Sequence, residues 1–341
     1  MDTYDELNKY LNELFIYLSD KYDIFVDNLS RLTVINDELR NFLNLYDLSF
    51  EKKENNLTDE DVYLLAREII ESINPKYLDD FDNLIKNGEL DFGYNEEYDG
   101  SYFKHINDDI NIINIKREYS YEEVISLIHE YIHYINLKNI STKNSHLLTE
   151  FLAIYFEIYA MDYLIDKGIN KDDIYYKRRL LFIKGKTNRF YNIESPLLVY
   201  KFFGEINDEN YKLLYDNIMQ IPKENYDREC SKILIYLKQQ EKKYNNENFT
   251  NDRNIESLQE KLGYDLAYDL RYILGTIFTF YTRKYSKIED IVWLNNHIND
   301  SNLELNDILN KLGINIYEND FTDKMKDSIK DYLEKYDVKK R

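Results

Sequence analysis

The sequence predicts a mainly α-helical protein with one small β-sheet. Glycine and proline, which interrupt helices, number nine and three among 341 residues, and this scarcity favours long helices with short loops. Apolar residues recur at helical spacing from the start of the chain, as at Leu7, Leu11 and Leu14. Alternating apolar and polar positions, the pattern of a half-buried strand, are confined to residues 88–117. We therefore expect a helical framework that carries a single sheet.

The N-terminal part of the chain is predicted to be helical throughout. Residues 1–47 have the apolar spacing of two helices, and a polar connection follows them. A third helix, for which Asp59 or Asp61 could be the cap, runs to about Ile73. A short helix over 76–87 completes this part.

The β region and the helix that follows it form the centre of the prediction. Residues 101–106 and 110–115 have the pattern of strands. Ser120 followed three residues later by Glu123 matches a capping box, which opens a helix over 121–137. We expect 110–115 to be an edge strand.

A second long helix and a mainly helical remainder complete the chain. The helix covers about 146–167 and carries the apolar segment LLTEFLAIYFEIYAMDYLI. We predict two domains: a helical N-terminal region, 1–90, packs on a larger and mostly helical domain, 91–341.

Charge and cysteine content exclude several classes of function. A net charge of −20 opposes binding to nucleic acid or to an anionic membrane by general electrostatics. The single cysteine, Cys230, excludes a disulfide framework within the chain and a thiolate metal cluster. The acidic N-terminus has no signal-peptide pattern, and no uncharged apolar run approaches the roughly 18 residues of a membrane span. We expect a cytoplasmic protein, and the sequence leaves its oligomeric state open.

The segment His129-Glu130-Tyr131-Ile132-His133 is an HExxH motif. Residues four apart on a helix project from the same face, so that both imidazoles can bind one Zn²⁺. Glu130 is then placed to take a proton from the attacking water. The alternative interpretation is a pair of ordinary histidines on a helix surface. The motif predicts a zinc hydrolase with one zinc ion per chain.

A zinc hydrolase requires a third protein ligand. Glu150 is the leading candidate, because it interrupts an apolar helical stretch and a buried carboxylate is costly unless it is paired or metal-bound. His146, one turn earlier, competes with it, and a solvent-facing Glu150 is also open. Glu157, two turns after Glu150 on nearly the same face, could orient a ligand histidine from behind. We interpret the other histidines and the cysteine as structural or surface residues: His105, His297 and Cys230.

A strand, a capping turn, an HExxH helix and a second helix together have the architecture of a zincin core. In this interpretation an extended peptide would add, antiparallel, to the edge strand at 110–115.

These residues resemble the thimet-oligopeptidase and oligopeptidase F family of zinc metallopeptidases. YEEVISLIHEYIH at 121–133 is similar to the HExxH helix of that family, and 150–157 keeps its spacing of two glutamates. Gly100-Ser101-Tyr102 resembles the family's Gly-Ala-Tyr, and GYDLAY at 263–268 resembles its tyrosine segment.

The resemblance implies a gluzincin, an HExxH enzyme with a glutamate ligand, that cleaves oligopeptides internally. Its zinc ligands would be His129, His133 and Glu150. Glu130 would be the general base, and Tyr264 and Tyr268 would donate to the oxyanion. Two other functions stay open: a regulatory protease that cuts one cellular protein, and a non-catalytic binding protein with a zincin fold.

Overall fold

A computed structural model describes residues 3–22, 26–51, 53–93, 100–107, 110–137, 143–184, 200, 204–216, 222–246 and 258–341. The helices are α1 (Thr3–Tyr22), α2 (Val26–Leu43), α3 (Asp59–Ile73), α4 (Leu78–Lys86), α5 (Tyr121–Leu137), α6 (Lys143–Asp166), α7 (Arg178–Lys184), α8 (Asp208–Leu214), α9 (Lys223–Asn246), α10 (Leu258–Tyr285), α11 (Ile288–His297), α12 (Leu305–Lys311) and α13 (Phe321–Lys335). The strands are β1 (Leu90–Gly93), β2 (Tyr102–Asn107) and β3 (Ile110–Lys116). The prediction of a mainly helical protein with a small sheet is confirmed.

The chain divides into two compact units. One comprises Met1–Glu38 with Gly185–Leu270, and the other comprises Leu39–Lys184 with Arg271–Arg341. The predicted division into a helical region, 1–90, that packs on a larger domain, 91–341, stays a prediction.

In the first unit, α1 packs against α9. The apolar positions that predicted α1, among them Leu7 and Leu11, are buried. At the edge of this contact the hydroxyl of Tyr10 donates to Glu241 at 2.6 Å. Cys230 of α9 is also buried, and this burial raises the pKa of its thiol to about 12. The interpretation of Cys230 as a packed thiol is therefore confirmed.

The sheet of the second unit has the order β1-β3-β2. β3 pairs in parallel with β1, with Leu90 opposite Ile113, and antiparallel with β2, with Tyr102 opposite Asn114. The prediction that 110–115 is an edge strand was wrong, because both of its sides are occupied. Alternation marks a strand but not its neighbours in a sheet, so the place of β1 beside β3 could not be seen in the sequence.

Helix α5 lies at the centre of the second unit, where it packs against α3, α6 and β3. It is buried on nearly every side from Glu122 to Asn136, as expected for an internal helix rather than an amphipathic surface helix. Its predicted bounds of 121–137 are confirmed.

The cap of α3 differs from the prediction. Thr58 is the N-cap: its hydroxyl accepts from the backbone N–H of Asp61 at 3.2 Å, and the Asp61 carboxylate accepts from the Thr58 N–H at 2.9 Å. Asp61 is thus the return partner of a capping box, and Asp59 is the first helical residue. A threonine hydroxyl therefore performs the capping that was predicted for an aspartate.

The start of α5 forms only half of its predicted capping box. The Glu123 carboxylate accepts from the backbone N–H groups of Glu118 and Tyr119 and pairs with Arg117. The buried hydroxyl of Ser120 has no hydrogen-bond partner among the described residues. The Glu123 carboxylate also accepts a hydrogen bond from the backbone of Ser120. The carboxylate half of the capping box is therefore present, and the hydroxyl half is not.

Candidate metal centre

Two neighbouring helices bring the predicted metal-binding side chains together. His129 and His133 lie one turn apart on α5, and Glu150 lies on α6, which packs along it. The two Nε2 atoms are 3.1 Å apart. Glu150 Oε2 is 3.6 Å from Nε2 of His129, and Glu150 Oε1 is 3.5 Å from Nε2 of His133. All three side chains are buried.

The outer nitrogen of each histidine has a partner that defines which nitrogen faces inward. Nδ1 of His129 lies 3.1 Å from Oε2 of Glu157, and Nδ1 of His133 lies 2.9 Å from the hydroxyl oxygen of Thr149. When each Nδ1–H donates to these oxygens, both Nε2 atoms turn lone pairs toward the centre. The role predicted for Glu157, behind a ligand histidine, agrees with this contact.

The electrostatics couple the histidines to the carboxylate. Burial alone would lower the pKa of His133, but the negative charges of Glu150 and Glu130 raise it above its ordinary 6.5. Burial alone would raise the pKa of Glu150, yet the histidines and Arg271 lower it well below its ordinary value. The two pKa shifts have one common cause, the attraction between the His133 imidazolium and the Glu150 carboxylate.

The three residues fit a zinc ion. With bonds of about 2.0–2.2 Å to nitrogen and oxygen, tetrahedral zinc ligands lie roughly 3.3–3.6 Å from each other. The two nitrogens here are 3.1 Å apart, and each lies 3.5 or 3.6 Å from a different oxygen of Glu150. Glu150 Oε2 is buried without a hydrogen-bond partner among the described residues. A cation between the three side chains would stabilise the two facing lone pairs and the unsatisfied carboxylate oxygen. Two nitrogens and one oxygen form a donor set that zinc accepts.

Glu130 follows His129 directly on α5 and is 8% exposed. Its negative charge contributes to the raised pKa of His133. A glutamate at this place can exchange a proton with a water held at the centre.

Two cationic residues of the centre were missed in the sequence. Arg179 of α7 is buried, and its Nε donates to both oxygens of Glu157 at 3.0 Å. Arg271 of α10 is also buried, and its charge acts on Glu150 and His133. A carboxylate inside an apolar helix requires a nearby cation, but no sequence spacing indicates which arginine supplies it.

Helix α10 reaches the centre through a glycine. A Cβ atom placed on Gly275 would lie 3.0 Å from the backbone carbon of Glu150 and 3.0 Å from the backbone nitrogen of Phe151. The absence of a side chain therefore sets the distance between α10 and the turn of α6 that carries Glu150.

The remaining candidates are placed as follows. Tyr264 and Tyr268 belong to α10 by their backbone, and their side chains lie outside the described part of the structure. The side chains of His105 and His146 also lie outside it. His297 is exposed and stacks on Trp293, so its interpretation as a surface residue is confirmed.

No family model and no curated protein matches the chain. Several solved structures are similar at low sequence identity. A proposed oligoendopeptidase F from Bacillus anthracis strain Ames is 11% identical over 95% of this chain and 56% of its own, with a TM-score of 0.49. PZ peptidase A, solved with an inhibitor, is 10% identical over 89% of this chain and 58% of its own, with a TM-score of 0.47.

A proposed peptidase from Chlamydophila abortus is 17% identical over 96% of this chain and 55% of its own, with a TM-score of 0.47. The chain thus spans a little more than half the length of these proteins. Within the described residues, no helix combines the length and apolar character that a membrane crossing requires.

Proposed function

We propose that the protein is a zinc-dependent metallopeptidase that cleaves peptide bonds within oligopeptides. The observation that carries the proposal is the convergence of His129, His133 and Glu150. Glu130, which follows His129 directly on α5 and is buried, is the proposed general base. Each chain would hold one zinc ion through these three side chains. Three protein ligands leave a fourth position for water or substrate, as in zinc hydrolases rather than structural zinc sites.

When bound, zinc supplies Lewis acidity, which makes water a stronger acid and a carbonyl a better electrophile. The chain's own residues then move the proton. Glu130 takes it from the attacking water and returns it to the amine of the departing peptide. Glu130 is buried, which keeps its carboxylate apart from bulk water. Its electrostatic interaction with the reacting groups is stronger there than it would be in water.

Other parts of the proposal rest on the family resemblance. Tyr264 and Tyr268 are the proposed donors to the oxyanion, since they match the family's tyrosine segment. The substrate would be a peptide, and the compartment the cytoplasm. Because β3 has both sides occupied, a peptide that adds to the sheet would have to pair with another strand.

The test combines metal analysis with cleavage of a mixed library of short peptides. Wild type and Glu130→Gln should each hold one zinc per chain, and cleavage should fall by about 10²–10⁴-fold in the variant. Glu60→Gln, an exposed change on α3, is the matched control and should cleave like wild type.

The outcomes separate the alternatives. Full activity of Glu130→Gln would exclude the proton-transfer role. Zinc at one per chain without cleavage of any peptide would favour a non-catalytic binding protein. Cleavage of one cellular protein but of no unrelated short peptide would favour a regulatory protease.

A further inference from the structure

A buried arginine stands behind the metal-binding face on the side of His129. The side chains of Arg179 and Glu157 are 6% and 1% exposed. Nε of Arg179 lies 3.0 Å from each oxygen of Glu157, and Nη2 contacts Oε2 as well. Both carboxylate oxygens are therefore held by one guanidinium, which fixes the plane of the carboxylate as well as its position.

The same carboxylate oxygen faces the histidine. Glu157 Oε2 lies 3.1 Å from Nδ1 of His129, and Nη2 of Arg179 lies 3.3 Å from that nitrogen. The arginine is only a donor, so it cannot accept from His129, whereas the carboxylate can. The shorter contact to the carboxylate therefore makes Nδ1 the donor and turns Nε2 toward Glu150.

Glu157 could not hold this position alone. Its neighbours on α6, Phe156 and Ile158, are buried apolar residues. An isolated carboxylate in such surroundings is strongly destabilised, and a nearby cation with matching hydrogen bonds offsets that cost. The planar fork of arginine can bind both oxygens at once, which the ammonium group of lysine cannot do.

The segment that carries Arg179 is anchored independently of Glu157. The backbone N–H of Tyr175 donates to Glu122, in the first turn of α5, at 2.8 Å. The carbonyl of Tyr176 accepts from the hydroxyl of Tyr332 at 2.6 Å, and its ring stacks on Tyr336 with centroids 4.3 Å apart. The backbone just before Arg179 is thus held in place by contacts with α5 and with the C-terminal helix, whether or not Glu157 is present.

From this geometry we infer that Arg179 is a positioning residue of the metal centre, which acts on His129 through Glu157. It holds the imidazole in the orientation and tautomer that present Nε2 to the metal. The inference rests on the proposed zinc centre and extends it by a residue 50 positions from His129 in the sequence. Groups placed in this way behind a metal ligand typically change metal affinity 10–100-fold when removed.

The test measures zinc affinity by competition with a chelator, together with the thermal unfolding of the metal-free protein. Arg179→Met should weaken zinc binding by about 10–100-fold, and Arg179→Lys should lie between it and wild type. The control is Arg67→Met, which removes another arginine–carboxylate pair of the same unit, with Asp82, that does not contact the anchoring tyrosines. It should lower stability and leave zinc affinity at the wild-type value.

Two further measurements separate positioning from support of the fold. The visible spectrum of the Co²⁺-substituted protein reports the coordination geometry, and it should change in Arg179→Met but not in Arg67→Met. The double variant Glu157→Gln/Arg179→Met should lose no more zinc affinity than whichever single variant binds zinc more weakly. The reason is that both residues act through one contact.

Unchanged zinc affinity and an unchanged Co²⁺ spectrum in Arg179→Met would overturn the inference, whatever happens to stability. The failure of the proposed function is distinguishable. Wild type that binds zinc but cleaves no peptide would overturn the function and leave the role of Arg179 intact, since affinity is measured without substrate. Wild type that binds no zinc would overturn both.

Discussion

The Nε2 atoms of His129 and His133 face each other across 3.1 Å. Their outer nitrogens are engaged by Glu157 and Thr149, so neither ring can rotate without breaking a buried hydrogen bond. Two fixed lone pairs at this distance repel unless a cation or a proton lies between them. A positive charge at this centre therefore stabilises the protein, and the effect can be measured as the pH dependence of stability in the metal-free protein.

After a chelator has removed any metal, the protein should be most stable at mildly acidic pH. The pKa of His133 is raised above 6.5, so its contribution is complete below that pH and is lost as the pH rises through the higher folded value. The pKa of Glu150 is lowered below 4.5, so its contribution is complete above 4.5 and is lost toward strong acid. Melting temperatures measured from about pH 3 to about pH 9 should show this maximum.

The control for this pH profile is Glu150→Gln, which removes the charge that faces His133. The maximum between 4.5 and 6.5 should flatten in this variant. A maximum of the same height in both proteins would contradict the assignment. Zinc should shift the optimum of wild type upward, because the metal requires neutral imidazoles.

Thr149→Val should weaken zinc binding without a large loss of fold. The valine has nearly the shape of threonine but removes the hydroxyl that holds Nδ1 of His133 at 2.9 Å. We expect about a tenfold loss of zinc affinity, measured by chelator competition. Thr282→Val removes another buried hydroxyl of the same unit and should leave the affinity unchanged; equal losses in both variants would argue against a role for Thr149 in the centre.

Gly275→Ala should push α10 away from Glu150. The added Cβ would meet backbone atoms of α6 at 3.0 Å, and backbone cannot rotate away as a side chain can. We expect a loss of about 1–3 kcal/mol in the free energy of unfolding together with weaker zinc binding. Gly100→Ala is the matched control, because no atom of the described residues lies within 4 Å of its added carbon. If Gly275→Ala lost no more stability and zinc affinity than Gly100→Ala, α10 would have adapted to the added carbon.

Glu123→Gln should destabilise the start of the HExxH helix. The side chain of Glu123 is fully buried, and it pairs with Arg117 while it accepts from two backbone N–H groups. Removal of its charge leaves Arg117 without its buried partner, which typically costs about 3–5 kcal/mol, measured by denaturant unfolding. Asp59→Asn removes the exposed partner of the same arginine and should cost less than about 1 kcal/mol; similar losses would refute the burial argument.

Elements with a strong local signal could be predicted from the sequence. The start of α5 follows from the capping-box spacing of Ser120 and Glu123. His129, His133 and Glu150 follow from helical spacing and from the cost of a buried carboxylate. These arguments need only neighbours along one helix.

The parts that were missed depend on distant segments. Arg179 lies 22 residues beyond Glu157, on a helix of seven residues that has no periodicity to mark its role. The pairing of β1 with β3 joins residues 23 apart, and this pairing determines that β3 is central. Which cation neutralises a carboxylate, and which strand lies beside another, are decided by tertiary packing and not by local spacing.

The support of His129 comes from three segments, since α5 carries the ring, α6 carries Glu157 and α7 carries Arg179. The complete arrangement exists only after all three have docked. For the zinc centre proposed above, metal uptake would therefore be a late event in the folding of this chain, unlike in the small zinc modules that need the ion in order to fold. A newly made chain with α7 undocked would be a poor competitor for cellular zinc, and loading with the ion would mark the molecules that have finished folding.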